Sequence, residues 1–128
     1  MLYKAICGVV LAGGKSRRMG MDKAFIPLGG RTLIKRVTDV LAGIFSEVVI
    51  VACADLNPQA PSIEDPYADL PHRILKDQIS GLGPMGGIKT ALKSLSGKGL
   101  FVVAADMPFL DPEVIQAILA YSEEYDLV

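Results

Sequence analysis

The sequence predicts an α/β domain of three layers (α/β/α), with helices on both faces of a mostly parallel sheet. Three observations lead there. Short apolar runs rich in β-branched residues, at 5–11, 47–52, 73–76 and 100–105, are each bounded by turn-forming residues. Helical hydrophobic periodicity occupies the stretches between several of them, so strand and helix alternate along the chain. The chemically distinctive residues come directly after strands, as expected where ligands bind beyond the carboxyl ends of a parallel sheet.

Each element has a local reason. Residues 5–11 form a continuous apolar run, the pattern of a strand buried on both faces. Leu33, Ile34, Val37, Val40 and Leu41 recur at helical spacing, with Thr32 as N-cap and Gly43 as the stop, which predicts a helix over 32–41. A second buried strand follows at 47–52. Pro58, Pro61, Pro66 and Pro71 punctuate 54–72, read as a loop holding one short helical turn at most. A short third strand at 73–76 precedes a helix over 84–95. Pro84 lies in its first turn, and Ile88, Ala91, Leu92 and Leu95 face inward. After the fourth strand, Asp111 caps a helix from 112 to about 121, with Glu113 at its positive end. Asp126-Leu127-Val128 reads as the beginning of a fifth strand.

Composition narrows the class. With 128 residues, 51% hydrophobic and 21% charged, the chain supports one globular domain at most. A net charge of −1 argues against a general nucleic-acid or membrane-surface binder. No apolar run reaches the roughly 20 residues of a membrane span, and the glycines and cations after residue 12 interrupt any signal-peptide pattern. Cys7 and Cys53, within or beside apolar strands, read as small buried thiols. A cytoplasmic protein with no nucleic-acid or membrane partner is expected.

The positive charge is local. Leu11-Ala12-Gly13-Gly14-Lys15-Ser16-Arg17-Arg18-Met19-Gly20-Met21-Asp22-Lys23 follows the first strand directly. Adjacent glycines let the main chain approach a ligand and present its N–H groups. Arginine and lysine neutralise phosphate oxygens. Capture of a polyphosphate is implied, against the plainer alternative of a solvated basic turn. A Walker A loop does not fit, because the position of its first glycine falls on Val9. Gly-x-Gly-x-x-Gly is absent as well, since Gly13 and Gly14 are adjacent and the next glycine is Gly20.

Three further positions carry chemistry. Asp106, just past a wholly apolar strand, is either an oxygen ligand suited to Mg²⁺ on phosphate oxygens or a cap for the turn before Pro108. Asp77 opens a segment containing Gly81, Gly83, Gly86 and Gly87, a pattern that packs backbone against a flat ligand or simply enters a helix. A carboxylate there suits the N1–H and N2–H₂ donors of guanine. Lys23 is the candidate cation for an α-phosphate, with Asp22 pairing it or stabilising the turn. Arg17 and Arg18 would hold the outer phosphates, and Lys15 is read as solvent-exposed charge. His72, the sole histidine, is read as a surface side chain without a catalytic role. Two cysteines and one histidine make neither a catalytic triad nor an ordinary zinc site.

The segment from Leu11 to Lys23 resembles the signature of the sugar-nucleotide-type nucleotidyltransferases. Its Leu-Ala-Gly-Gly-x-Ser-x-Arg-Met-Gly-x-Asp-Lys form looks most like the molybdenum cofactor guanylyltransferases. Asp106-Met107-Pro108-Phe109 resembles that family's metal-binding aspartate motif, and Asp77 with Gly83-Pro84 its nucleotide-lining block. The resemblance implies a Rossmann-like nucleotide-diphospho-sugar transferase fold. It also implies transfer of GMP from GTP to the terminal phosphate of a molybdopterin-type cofactor, with release of pyrophosphate. Lys23 and Arg18 would be catalytic, and Leu11, Ala12, Gly13, Gly14, Arg17, Arg18, Lys23, Asp77, Gly83 and Asp106 would bind nucleotide. Asp106 would also hold Mg²⁺. One departure is Val51-Ala52-Cys53, where some relatives carry an asparagine that contacts the nucleotide.

The matching blocks run through the chain in family order but cover only the first part of the family pattern. Residues 1–128 are therefore expected to be the nucleotide-binding portion of a single nucleotidyltransferase domain, truncated at the C-terminus. Such a chain would bind nucleotide, transfer guanylate poorly and be prone to self-association. A cytidylyl or sugar-1-phosphate enzyme is one alternative, although CTP-using relatives tend to carry Leu-Ala-Ala-Gly. A non-catalytic nucleotide-binding module is the other.

Overall fold

The computed structural model describes residues 4–12, 27–28, 31–53, 71–77, 84–95, 98–107, 109–125 and 127. Their elements are β1 (Ile6–Leu11), β2 (Pro27–Leu28), β3 (Arg31–Thr32), α1 (Leu33–Ala42), β4 (Val48–Cys53), β5 (Arg73–Asp77), α2 (Pro84–Ser94), β6 (Gly99–Ala104) and α3 (Pro112–Leu119). Four strands form one parallel sheet in the order β5-β4-β1-β6, and β2 and β3 pair as a separate antiparallel ribbon. In the main sheet Leu11 lies opposite Val51 on one side and Ala104 on the other.

Strand alternation divides the core. Cys7 and Val9 of β1 point, with Val49 and Val51 of β4, to the face that α2 covers with Ala91 and Leu95. Val10 points the opposite way, with Ile50 and Ala52, toward Ile34, Val37 and Leu41 of α1 and Ile115 and Leu119 of α3. The expected three layers result, with α1 and α3 on one face and α2 on the other. Between α1 and the sheet lies Phe45, buried and stacked on Phe101 with ring centroids 5.6 Å apart. Gly8 makes room for it. A Cβ there would meet Phe45 Cδ2 at 3.0 Å and Leu41 Cδ1 at 3.3 Å.

The helix ends follow their local chemistry. Thr32 Oγ1 accepts the Lys35 N–H at 3.3 Å, and an Asp111 carboxylate oxygen accepts the Glu113 N–H at 2.9 Å. Gly43 does end α1, but at φ −78° in the right-handed region, so the helix stops without the left-handed glycine cap. Thr38, buried inside α1, satisfies its hydroxyl by donating to the Lys35 carbonyl at 3.1 Å. At the amino edge of the sheet, Lys98 before β6 pairs with Glu47 before β4 at 2.5 Å.

Several expectations are corrected. Leu92 is exposed, because Gly87, Ala91 and Leu95 set the inward arc of α2. Leu127 belongs to no strand and is almost wholly exposed; Asp126 and Val128 lie outside the described residues. The loop at 54–70 also lies outside them. His72 is partly buried, and its Nε2 is buried without a hydrogen-bond partner. Burial, followed by the Lys35 charge, lowers its pKa below the ordinary 6.5, with Asp39 opposing. No helix among the described residues is long and apolar enough to cross a membrane.

Two outcomes follow. Gly8→Val forces methyl groups against Phe45 and Leu41 and should destabilise the fold by about 1–3 kcal/mol, measured by urea unfolding. Because the folded imidazole has the lower pKa, the unfolded chain takes up the proton first. Stability should therefore fall as pH drops through the unfolded value of 6.5, until the folded value is passed. His72→Gln should flatten this part of the pH–Tm profile between about pH 7.5 and 5.5.

Candidate active site

The order β5-β4-β1-β6 places the first strand of the chain inside the sheet, with earlier partners on one side and the later β6 on the other. The carboxyl ends of β1 and β6 thus flank a topological switch point, the place where ligands bind in open α/β sheets. Main-chain hydrogen bonds carry both strands to this edge. Ala12 N–H donates to the Val51 carbonyl at 2.8 Å, and Ala105 N–H donates to the Leu11 carbonyl at 3.1 Å. Asp106 comes immediately after that last bond, and the glycine-rich basic segment immediately after Ala12.

Asp106 sits in the turn after β6. It is exposed and makes no hydrogen bond or ion pair among the described residues. Among the described residues its carboxylate caps nothing and is exposed at the switch point. Ala105 before it is buried, so the apolar strand anchors a free acidic group. The neighbouring Met107 and Phe109 are also exposed, Phe109 at 89%. The sequence reading gave neither side chain a role.

Leu11 and Ala12 are structural at this edge: Ala12 is buried in the core, and Leu11 is half-buried beneath α2. An ideal Cβ on Gly87 would lie 2.8 Å from Leu11 Cδ2 and 3.6 Å from Val51 Cγ1. Gly87, expected to approach a flat ligand, instead lets the first turn of α2 settle on the end of β1. That contact brings the N-terminal turn of α2 close to the same edge. Thr90 of α2 donates to the Gly86 carbonyl at 3.0 Å.

Asp77 is the last residue of β5, level with Cys53 of β4. It and Asp106 therefore lie at one edge of the sheet on either side of β1, three strand spacings apart. At about 4.8 Å per spacing, this backbone separation is roughly 14 Å, comparable to an extended nucleoside triphosphate. Val51 and Ala52 are buried and apolar. Gly13, Gly14, Lys15, Arg17, Arg18, Asp22, Lys23, Gly81 and Gly83 lie outside the described residues. No cluster of three or more His, Cys, Asp or Glu occurs among the described residues. Cys7 is no nucleophile: burial first, then the Glu47 charge, pushes its thiol up to about 11.

A switch point in a parallel α/β sheet, with an acid after one strand and a glycine-rich basic segment following the other in sequence, belongs to a class of nucleotide-handling α/β domains. The MobA-like NTP transferase domain model matches residues 8–128, and the chain belongs to that family. It is 40% identical over 120 residues to a protein of Pelotomaculum thermopropionicum named as a probable molybdenum cofactor guanylyltransferase, covering 94% of this chain and 54% of that one. The crystal structure of molybdopterin-guanine dinucleotide biosynthesis protein A from Archaeoglobus fulgidus superposes with a TM-score of 0.64 at 27% identity, covering 92% and 56% of the two chains. That of Rv0371c from Mycobacterium tuberculosis gives 0.72 at 20% identity, covering 91% and 60%. The chain spans about half the length of the curated relatives it matches. The nucleotide-diphospho-sugar transferase fold is established by this match.

Because the Asp106 carboxylate is exposed and pairs with no described residue, Asp106→Asn should leave folding stability within about 0.5 kcal/mol of the parent. Thermal unfolding without ligand checks this. A loss the size of a core truncation would mean that Asp106 caps its turn.

Proposed function

We propose that the domain represented by this chain transfers GMP from GTP to the terminal phosphate of a molybdopterin-type cofactor, releasing pyrophosphate. The observation that carries the reading is the free Asp106 carboxylate at the switch point, beside the origin of the Gly13-to-Lys23 segment. The name of the 40%-identical Pelotomaculum relative supplies the substrate class.

In this reading GTP lies along the carboxyl edge, its base toward Asp77 and its phosphates toward the segment after β1. Asp77 accepts the N1–H and N2–H₂ of guanine, an edge that cytosine lacks. The Gly13 and Gly14 amides and the Arg17 and Arg18 guanidiniums hold the outer phosphates, with Gly83 lining the nucleotide. Lys23 neutralises the non-bridging oxygens of the α-phosphate as charge builds on them. An oxygen of the acceptor phosphate forms a bond to the α-phosphorus in line, the α–β bridge breaks, and pyrophosphate leaves with that electron pair. The acceptor is already an anion, so no general base is needed, and the lack of a histidine at the edge is no obstacle. Asp106 would hold Mg²⁺, which would supply charge neutralisation at the phosphates when bound.

The same geometry would serve a cytidylyl enzyme or a binding module, and nucleotide preference separates them. Equilibrium binding of GTP, CTP, UTP and ATP, with and without Mg²⁺, should favour GTP over CTP at least tenfold. Asp77→Ala should remove that preference, at about 1.5–3 kcal/mol for a lost charged hydrogen-bonding pair. A preference for CTP would overturn the guanylyl reading, and a GTP/CTP ratio unchanged in Asp77→Ala would remove Asp77 as base reader. Binding unaffected by Mg²⁺ would remove the metal role of Asp106.

A further inference from the structure

Two large apolar side chains follow the Asp106 carboxylate within three residues: Met107 is 44% exposed and Phe109 89%. Single apolar residues on a surface are ordinary, so what matters is how and where this pair is held. The turn that carries it is anchored at both ends. Ala105 is buried, and its N–H donates to the Leu11 carbonyl. Leu110 packs against the core, and Asp111 caps α3 through the Glu113 N–H. The fold thus fixes the chain on either side of Phe109 while leaving its ring in solvent.

Position sets Phe109 apart from the other aromatic residues. Phe45 and Phe101 stack on each other within the fold, and Tyr121 and Tyr125 lie past the far end of α3. Among the described residues, Phe109 is therefore the aromatic side chain at the carboxyl edge of the main sheet. It lies on the β6 side, across β1 from Asp77. Three residues separate it from Asp106, so the two backbone positions are about 10 Å apart at most. One small molecule that carries both a phosphate and a flat ring can reach the two together.

In the reading above, guanine lies toward Asp77, the outer phosphates toward the segment after β1, and the transferred phosphate near Asp106. An in-line displacement brings the second substrate in opposite the leaving pyrophosphate, which leaves the β6 side for its approach. We propose that Phe109 is the platform on which the fused ring of the acceptor stacks, making it a specificity-determining residue for a ring-bearing phosphate ester over an aliphatic one. A phenyl face attracts an offset aromatic ring whatever groups that ring carries at its edge. The anchored ends of the turn reduce the ordering that such a contact would otherwise cost. The class of acceptor rests on the guanylyl-transfer reading, and the stacking role is tested by binding alone.

The probe is a fluorescent pterin monophosphate, titrated with the 128-residue chain in Mg²⁺ and followed by fluorescence anisotropy. Glycerol phosphate, which has no ring, should compete about tenfold or more weakly than unlabelled pterin ester. Phe109→Ala and Phe109→Leu should each weaken probe binding about tenfold or more, because leucine keeps apolar bulk without a ring face, whereas Phe109→Trp should keep it within about threefold. GTP affinity and Tm should stay with the parent in all three variants. A parent that binds GTP but not the probe overturns the proposal and leaves the nucleotide reading standing; a parent that does not bind GTP overturns the guanylyl reading instead. Probe binding unchanged in Phe109→Ala, or retained in Phe109→Leu, removes the stacking role. Equal competition by glycerol phosphate removes the ring preference. Loss of GTP affinity in Phe109→Ala would make the residue a nucleotide contact, and a lower Tm in both Phe109→Ala and Phe109→Leu would make it a packing residue; either result overturns the proposal.

Discussion

A strand with neighbours on both edges and helices on both faces can display no polar side chain until it ends, and β1 is such a strand. Its backbone is shared between β4 and β6. Its side chains alternate between a layer under α2 and a layer under α1 and α3. Residue choice along it follows from that position: Cys7 is a protonated thiol acting as a small hydrophobe, and Gly8 is the gap that admits Phe45. Polar residues can follow only where the strand ends, and β5 and β6 carry the candidate residues Asp77 and Asp106 to the same edge.

What could be read from sequence was what local physics decides. The alternation of apolar runs with capped periodic segments was enough for the parallel sheet and its layers, and Thr32 and Asp111 cap the helices they were expected to cap. The misreadings have physical causes. α2 has apolar residues on more than one side, so periodicity alone admitted Leu92 to the core; the true arc is set by how closely Gly87 and Ala91 let the helix approach the sheet. The β2–β3 ribbon is too short for an alternating pattern, although the Gly29-Gly30 pair between its strands was an available hairpin signal. His72 looked like a surface residue because its burial comes from packing near α1, which its proline-rich surroundings in sequence do not reveal.

The candidate site divides in the same way. Asp106 could be found from its position after an apolar strand, and the structure adds that its carboxylate is exposed and pairs with no described residue. Asp77 could be found as a carboxylate opening a glycine-rich turn, and the register sets it across β1 from Asp106. The role of Gly87 was not legible, since nothing local distinguishes a glycine that faces a ligand from one that admits Leu11. Met107 and Phe109 were quoted within a motif and left without a role; their exposure beside Asp106 is a tertiary property.

The strand order also governs how the chain acquires its structure in time. β1 leaves the ribosome well before its partner on one side, β6, with α1, β4, β5 and α2 made between them. Parallel pairing between segments so far apart in sequence requires a large loss of chain entropy before any contact repays it, which makes this topology slow to fold. Until Gly99–Ala104 is synthesised, an entirely apolar strand has an open edge and is a ready template for pairing with another chain. The arrangement that brings Asp77 and Asp106 to one edge of the sheet therefore leaves β1 open to aggregation until β6 is made.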